Sequence, residues 1–99
     1  MIQFHLSTKF PEIGAFTTTR IGGKSTGNYA SWNLSPFTGD NPADFSSNLM
    51  LLSERIQVPV ENIIIPFQTH ETGILHVDEA FMQLNKEQQA DKLQGIDAL

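Results

Sequence analysis

The chain has 99 residues, a formal net charge of −5 at pH 7 and no cysteine, which suits one small domain with a modest core. Its six lysine and arginine residues are scattered along the chain, so a nucleic-acid partner is not expected. The absence of cysteine excludes disulfides, thiolate catalysis and any cysteine-ligated metal within these residues.

Neither a secretory signal nor a membrane-spanning segment is indicated by the sequence. The chain has no basic start followed by an apolar run and a cleavage site, and no apolar stretch of the ~18 residues that suggest a membrane helix. Hydrophobic residues make up 39% of the chain and charged residues 17%, the balance of a folded globular protein. We therefore expect a cytoplasmic protein with no membrane partner.

The N-terminal residues predict two strands. Apolar and polar side chains alternate over residues 2–7, which indicates a strand with one buried face and with His5 on its solvent side. Residues 15–20 are rich in β-branched and aromatic types and predict a second strand. The Gly22-Gly23 pair then supplies the positive φ of a turn.

A long loop is predicted over residues 22 to 40, which are dense in Gly, Ser, Asn and Pro. Loops of more than about 12 to 15 residues are uncommon in compact domains and are usually functional or disordered. The aromatic residues Tyr29, Trp32 and Phe37 favour an ordered loop.

A helix is predicted to follow, with Asn41 as its N-cap and Pro42 in its first position. Pro59 prevents its continuation far beyond Gln57. Its apolar side chains recur at helical spacing and form one stripe that faces the core. The stripe consists of Phe45, Leu49, Leu52 and Ile56.

The second half of the chain predicts two further strands and short helices. Residues 63–65 and 73–77 are apolar β-branched runs on either side of a polar connection, residues 68–72. Residues 79–93 favour one kinked helix or two short ones, with Asn85 capping the second.

The last residues, 95–99, resemble the opening of a strand. An apolar run that stops without a polar tail predicts that a larger protein continues past Leu99. Exposed apolar edge strands near residues 96–99 are then expected, with instability or association as the result.

Five short motifs stand out, and their order and spacing are informative. They are FTTTRIGGKS at residues 16–25 with Gly27, SWNL at 31–34, GDNP at 39–42, QTH at 68–70 followed by VD at 77–78, and GIDAL at 95–99. Together they resemble the laccase-domain, or polyphenol oxidase-like, family. The resemblance covers nearly the whole chain but only the N-terminal part of a full-length member.

This resemblance implies a fold and an activity. Residues 1–99 would be the N-terminal portion of a single laccase-type domain, incomplete at its C-terminus. The fold implied is the cytotoxic necrotizing factor-like α+β fold, in which helices flank a mixed β-sheet. The activity implied is phosphorolysis of adenosine, inosine and methylthioadenosine, together with adenosine deamination, so that purine nucleoside and phosphate are the expected partners. An older label for the family is laccase-like oxidation of phenols.

The resemblance also implies a zinc ion, for which copper has been proposed as the alternative. The family ligands are the histidine of a Gln-x-His segment, a cysteine and a second histidine from later segments. Only the first of these, His70, lies in this chain, so the remaining ligands would come from a continuation or from a second chain. Since a catalytic zinc needs three protein ligands, the 99 residues alone are expected to bind zinc weakly.

His70 is accordingly the candidate metal ligand and catalytic residue. From its surroundings alone, a polar connection between apolar runs, ordinary surface placement is the simpler interpretation, and the resemblance favours ligation. Glu71 stands where the family usually has glycine and adds a carboxylate near the metal position. Asn48 is followed by leucine where many members have arginine. His76 alternates within the predicted strand and is interpreted as structural.

Three residues are candidates for substrate binding. Arg20 precedes the Gly-Gly turn, where a guanidinium can hold a phosphate or ribose oxygen, and a surface salt bridge is the alternative. Asn33 either recognises a substrate edge or ties the loop together, and the second role is favoured. Gln68 would orient the substrate or His70. Asp40 is expected to brace the start of the helix.

The leading functional prediction is a fragment of a zinc-dependent purine nucleoside phosphorylase that is inactive as 99 residues alone. A copper-dependent phenol oxidase is the second enzymatic prediction, although blue-copper chemistry requires a cysteine that this chain lacks. The alternative from another class is a catalytically inactive fragment or a small domain, complete at Leu99, whose aromatic loop binds a ligand or partner.

Overall fold

A computed structural model of the chain describes residues 2–3 and 10–99. The chain divides into two compact units, Met1–Leu52 and Ser53–Leu99. Over the described residues, regular structure consists of one pair of short strands, three α-helices and two single turns of 3-10 helix.

The first unit contains the only strand pairing of two residues or more within the described ranges. Strand β1, Ile2–Gln3, runs antiparallel to strand β2, Phe16–Thr17, with Ile2 opposite Thr17. The prediction of an N-terminal strand is confirmed at these two residues. The rest of that prediction, including His5, lies outside the described residues.

The second predicted strand, over residues 15–20, is wrong beyond Thr17. The backbone carbonyl of Arg20 instead accepts hydrogen bonds from the N–H groups of Ser31 and Trp32, at 2.9 and 2.8 Å. Because that carbonyl bonds to the loop, it does not extend the ladder with β1.

The long loop over residues 22 to 40 is confirmed. Its only regular element is a turn of 3-10 helix, Gly27–Tyr29, and the Ala30-Ser31 peptide bond is cis. Trp32 is buried and belongs to the core of this unit, as the aromatic content of the loop predicts.

Helix α1 spans Pro42–Ile56, as predicted. The side-chain oxygen of Asn41 accepts the Ala43 N–H at 2.9 Å, which is the contact of an N-cap. Gln57 follows with φ of +56°, and Pro59 then prevents the helix from resuming. Of the predicted apolar stripe, Leu52 is buried and Phe45, Leu49 and Ile56 are half-buried.

In the second unit, the prediction of two short helices is confirmed. Helix α2 spans Glu79–Met82, and Asp78 caps it by accepting the N–H of Phe81. Helix α3 spans Lys86–Lys92, and Asn85 forms a capping box with Gln88. The core of the unit includes Phe81 and Leu93, which are both buried.

The strands predicted over residues 63–65 and 73–77 are wrong as regular strands. The N–H of Ile63 bonds to Val60 as the end of a 3-10 turn, Val60–Asn62, and Pro66 has no N–H to donate. The C-terminal residues likewise form no strand. Isolated parallel bridges occur instead, between Phe67 and Gln94 and between Ile74 and Ala98.

Helices therefore predominate, with little strand, among the described residues. The mixed β-sheet, the cytotoxic necrotizing factor-like fold and the assignment of residues 1–99 to a single domain stay predictions. No helix in the described part of the chain combines the length and apolar character that crossing a membrane requires.

Candidate functional site

Arg20 is fixed by the loop that follows it. Its Nε and Nη2 atoms donate to the carbonyl oxygen of Ala30, at 3.0 and 2.8 Å. The residue is exposed, and the bonds to one carbonyl leave donors on Nη1 and Nη2 for another group. The guanidinium is therefore held in place with donors still directed outward, an arrangement suited to an anion.

An open depression of about 280 Å³ lies beside this guanidinium. This volume falls just below the ~300 to 1,000 Å³ of ordinary ligand sites, so it suits a phosphate or a ribose better than a whole nucleoside. Of the described residues that line it, Arg20 is the only charged one, and the others are Asn28, Tyr29, Ala30, Trp32 and Asn33.

Asn33 lies in the same lining, yet its side chain is engaged within the loop. Its Nδ2 atom donates to Thr38 Oγ1 at 3.0 Å and to Asp40 Oδ2 at 3.1 Å. Its Oδ1 atom accepts the N–H of Ser35 at 3.2 Å. This use of both ends of the amide favours the loop-tying role, and contact with substrate stays a prediction.

Asn48 of α1 organises the loop and is completely buried. Its Oδ1 atom accepts the N–H of Lys24 at 2.7 Å, and its Nδ2 atom donates to Ser25 Oγ and to the Asn33 carbonyl, at 2.8 and 2.9 Å. The three donor and acceptor contacts of this amide join separate parts of the loop to one helix.

Sequence reasoning missed the structural role of Asn48. The available signal was its position, three residues after Phe45 and four before Leu52, which places a polar amide on the buried side of an amphipathic helix. A buried polar side chain is expected to be hydrogen-bonded, so its position alone predicts partners from elsewhere in the chain.

Asp40 connects the loop to the start of α1. The hydroxyl of Ser25 donates to its Oδ2 atom at 2.5 Å, and the N–H of Asn41 donates to its Oδ1 atom at 2.8 Å. The Ser25 hydrogen bond lowers the pKa of the Asp40 carboxyl; burial opposes this effect, and hydrogen bonds from Asn33 and Asn41 add to it. Asp40 thus contacts the helix start, as expected, through the N-cap residue.

The two glycines after Arg20 serve different purposes. Gly22 has φ of +116°, a conformation that glycine adopts without strain, as predicted. Gly23 does not have a positive φ. A Cβ atom there would lie 2.5 Å from Asn48 Oδ1 and 2.6 Å from Trp32 Cα, so the close approach of backbone and helix requires glycine.

His70 lies in the second unit, in an exposed loop. Its φ is +60°, in the left-handed region that residues with a Cβ atom rarely adopt. Glu71 does not have a positive φ, so glycine is not required at position 71, where the related family usually has it.

The carboxylate of Asp97 holds this loop. It accepts the backbone N–H of Thr69 at 2.8 Å, that of His70 at 3.1 Å and that of Glu71. Successive N–H groups converging on one anion form a backbone nest. Burial raises the pKa of the Asp97 carboxyl, but the bonds from Thr69, Glu71 and His70, with the charge of a protonated His70, bring it below its ordinary value.

Gln68 lies at the base of the same loop. Its Nε2 atom donates to the backbone carbonyl of Asp97 at 3.3 Å, which leaves its Oε1 atom for another partner. Next to it, Phe67 exchanges backbone hydrogen bonds with Leu93 and Gly95, at 3.0 and 2.9 Å. The structure thus brings Gln68 and His70 onto one loop, anchored to residues 93–97.

A metal site at His70 stays a prediction, and the described residues do not complete one. Among them, no three side chains of His, Cys, Asp or Glu are grouped so as to hold a metal ion. A catalytic zinc needs three protein ligands, and His70 is one imidazole. The remaining donors of such a site are not found in this part of the chain.

His76 does not lie on a strand, so the interpretation that it alternates along one is wrong. It is exposed and lines a cavity of about 420 Å³ together with Phe81 and Leu84. Asp78 is the acidic residue among the described residues of this lining, and its side chain caps α2.

Comparison with known proteins identifies related sequences. Residues 14–99 match the family described as multi-copper polyphenol oxidoreductase laccase. A purine nucleoside phosphorylase of Bacteroides thetaiotaomicron is 38% identical over 99 residues, which cover 100% of this chain and 37% of that protein. A purine nucleoside phosphorylase of Haemophilus influenzae is 42% identical over 66% of this chain and 26% of its own length.

A third relative, named adenosine deaminase RL5 and from an unknown prokaryotic organism, is 30% identical over 88% of this chain and 33% of its own length. The chain therefore spans 26% to 37% of the length of these relatives. No solved structure matches the chain significantly.

Proposed function

The chain belongs to the multi-copper polyphenol oxidoreductase laccase family, and on that premise we propose that it is part of a zinc-dependent purine nucleoside phosphorylase. The proposed substrates are phosphate and the nucleosides adenosine, inosine and methylthioadenosine. We include adenosine deamination because one relative is named an adenosine deaminase. We extend the proposal to a cytoplasmic location, where nucleosides and phosphate are both available.

One observation carries this proposal, namely the fixed conformation of the exposed His70. The residue is held at φ of +60° by a loop whose three consecutive N–H groups bind one carboxylate. In our proposal His70 is one zinc ligand, and the other ligands come from a continuation of this chain or from a second chain. When bound, zinc would polarise an oxygen atom or activate a nucleophile.

Arg20 is proposed to bind phosphate. Phosphorolysis joins a phosphate oxygen to C1′ of the ribose and breaks the bond from C1′ to the purine nitrogen, so the anion must be held close to the sugar. In a chain with a net charge of −5, a phosphate needs a local cation, and Arg20 is the one charged group among the described residues that line its depression. Its bonds to Ala30 fix the guanidinium before phosphate binds, which lowers the entropy cost of binding.

Gln68 is proposed to contact the nucleoside through Oε1. Its Nε2 atom is engaged by the Asp97 carbonyl, so the amide has a defined direction and a free acceptor. An acceptor of this kind suits a ribose hydroxyl or an exocyclic amino group. Asn33, by contrast, has both ends of its amide engaged, and its place in the proposal is to shape the Arg20 depression.

The test is inosine phosphorolysis, followed by release of hypoxanthine, in protein that carries all the proposed zinc ligands and whose zinc content is measured on the same preparation. His70→Ala should abolish turnover and zinc retention, because it removes a ligand. Arg20→Gln should raise the KM for phosphate about tenfold. A tenfold change corresponds to ~1.4 kcal/mol, the magnitude of one lost charge-assisted contact. His76→Ala serves as the matched control for His70→Ala and should leave turnover and zinc retention unchanged.

Two results would overturn the assignment. Unchanged zinc retention in the His70→Ala variant would remove the ligand role, and zinc-loaded wild-type protein that releases no hypoxanthine would remove the function. The description of the family supports a second candidate, copper-dependent oxidation of phenols. Oxygen consumption with a phenol and copper, in place of phosphorolysis, would select that candidate.

A further inference from the structure

We propose that Asp97 is a positioning residue, which fixes the backbone of His70 and thereby the direction of its imidazole. The proposal rests on the proposed function in one respect only, namely that the His70 imidazole is a zinc ligand. The contact itself joins residues that are 27 positions apart in the chain.

The first step of the argument is the number of contacts that converge on this carboxylate. Oδ1 accepts the N–H groups of Thr69 and His70, at 2.8 and 3.1 Å, and Oδ2 accepts that of Glu71. Both oxygens are therefore used. The nest surrounds His70 from the residue before it to the residue after it, so no backbone torsion of His70 can change without breaking one of these bonds.

The second step concerns the conformation that the nest holds. A histidine at φ of +60° is disfavoured by its own Cβ atom, and an exposed loop offers it little packing. An isolated loop would therefore relax to a negative φ. Because the three bonds require the observed backbone direction, Asp97 selects the disfavoured conformation over the relaxed one.

The third step is that Asp97 is itself anchored. Its own N–H donates to the carbonyl of Gly73 at 2.9 Å, and its carbonyl accepts Gln68 Nε2 at 3.3 Å. The backbone of Asp97 is thus held on both sides of the loop that its side chain binds. The loop of residues 69–71 and the Asp97 carboxylate therefore hold each other in place. Hydrogen-bonded residues behind a ligand or catalytic imidazole, which we call its outer support, keep that imidazole in one direction.

The test begins with the wild-type chain, in which the amide protons of residues 69–71 are measured by NMR. Exposed loop amides normally exchange rapidly with solvent, so protection and downfield shifts at all three positions are expected only if the nest forms. Rapid exchange at all three would overturn the proposal without any variant.

The second measurement uses Asp97→Asn, which keeps the shape but replaces one acceptor oxygen by an NH2 group. The N–H to Hα coupling of His70 should change toward that of a negative φ, and protection should be lost at one or more of the three amides. Asp91→Asn, an equal charge change on α3, is the matched control and should leave both signals unchanged. Protection of the Gln88 amide, which is bonded within the second unit, shows in each variant that this unit remains folded.

The third measurement separates this proposal from the proposed function. In active protein, Asp97→Asn should lower kcat for inosine phosphorolysis by about 10- to 100-fold, as losses of outer support do, with little change in KM. A His70 coupling that is unchanged in Asp97→Asn overturns the positioning role even if His70→Ala abolishes turnover. Loss of the nest signals in Asp97→Asn, with His70→Ala fully active, supports the positioning role and overturns the function instead.

Discussion

The indole Nε1–H of Trp32 donates a 3.1 Å hydrogen bond to the backbone carbonyl of Asn48, so the loop and α1 are joined by a buried polar contact. Trp32 is 6% exposed and Asn48 is 0% exposed. The Asn48 side chain returns to the residue after this tryptophan, by donating to the carbonyl of Asn33. The long loop is therefore ordered by contacts with a helix residue, and the shape of the Arg20 depression depends on them.

Asn48→Leu should destabilise the first unit by about 3 kcal/mol, because it leaves the part-buried Lys24 N–H and Asn33 carbonyl without their partner. Urea unfolding followed by fluorescence of the single tryptophan measures the change. Asn62→Leu, at an exposed asparagine, is the matched control and should alter the free energy of unfolding little. An unchanged midpoint for Asn48→Leu would contradict the role assigned to this amide.

Low pH should destabilise the loop through Asp40. Its folded-state pKa is lowered chiefly by the Ser25 hydrogen bond, so the unfolded chain binds the proton more tightly. The stabilisation is present above the unfolded pKa, about 3.9, and is lost as pH falls through the lower folded value.

Urea midpoints measured by tryptophan fluorescence should therefore be steady near neutral pH and decline below about pH 4. The decline should be smaller in Asp40→Asn than in the wild type. Asp44→Asn, an equal charge change in the first turn of α1, should keep the wild-type slope. Equal slopes in all three proteins would rule out Asp40 as a source of the acid sensitivity.

The helices were predictable from the sequence because their signals are local. Asn41 and Asn85 lie directly before the segments that they cap, and each bonds to an N–H two or three residues away. The strands were not predictable in this way, since a strand exists only through its partner. Residues 73–77 have the composition of a strand, but the described residues offer them a single bridge, from Ile74 to Ala98.

The residues of the candidate site divide in the same way, into those with a local signal in the sequence and those that depend on distant partners. Gln68 and His70 were selected by resemblance to a family motif, and Arg20 by its place before a turn. Asp97 and Asn48 were not selected, because their partners lie 15 to 28 residues away and no short spacing reveals them. Long-range hydrogen bonds to loop backbone depend on the folded path of the chain, which a linear pattern does not contain.

Asn85→Ala should destabilise the second unit by about 1 kcal/mol, the usual effect of removing an N-cap side chain. The variant loses the acceptor of the Gln88 N–H, now bonded at 2.8 Å, and the reciprocal bond at the Asn85 N–H loses its geometry. Hydrogen exchange at the Gln88 amide should accelerate about fivefold. Asn85→Asp retains the acceptor and should exchange at nearly the wild-type rate; equal acceleration in both variants would show that the cap does not stabilise α3.

Gly23→Ala should destabilise the first unit by about 2 kcal/mol, within the range for overpacking a well-packed site. The added methyl group would lie 2.5 Å from Asn48 Oδ1 and 2.6 Å from Trp32 Cα, and the second of these atoms is backbone that cannot rotate away. The clash would also separate Asn48 from the Lys24 N–H, so a hydrogen bond is strained together with the packing.

Gly14→Ala is the matched control, because a Cβ atom there has no atom of the described residues within 4 Å and the residue does not have a positive φ. It should leave the urea midpoint unchanged or raise it slightly, by restricting the unfolded chain. The Arg20 depression should change as well, since the Arg20 carbonyl bonds to Trp32 and a displaced Trp32 would alter the lining. A Gly23→Ala variant as stable as Gly14→Ala would mean that the loop does not approach α1 as closely as described.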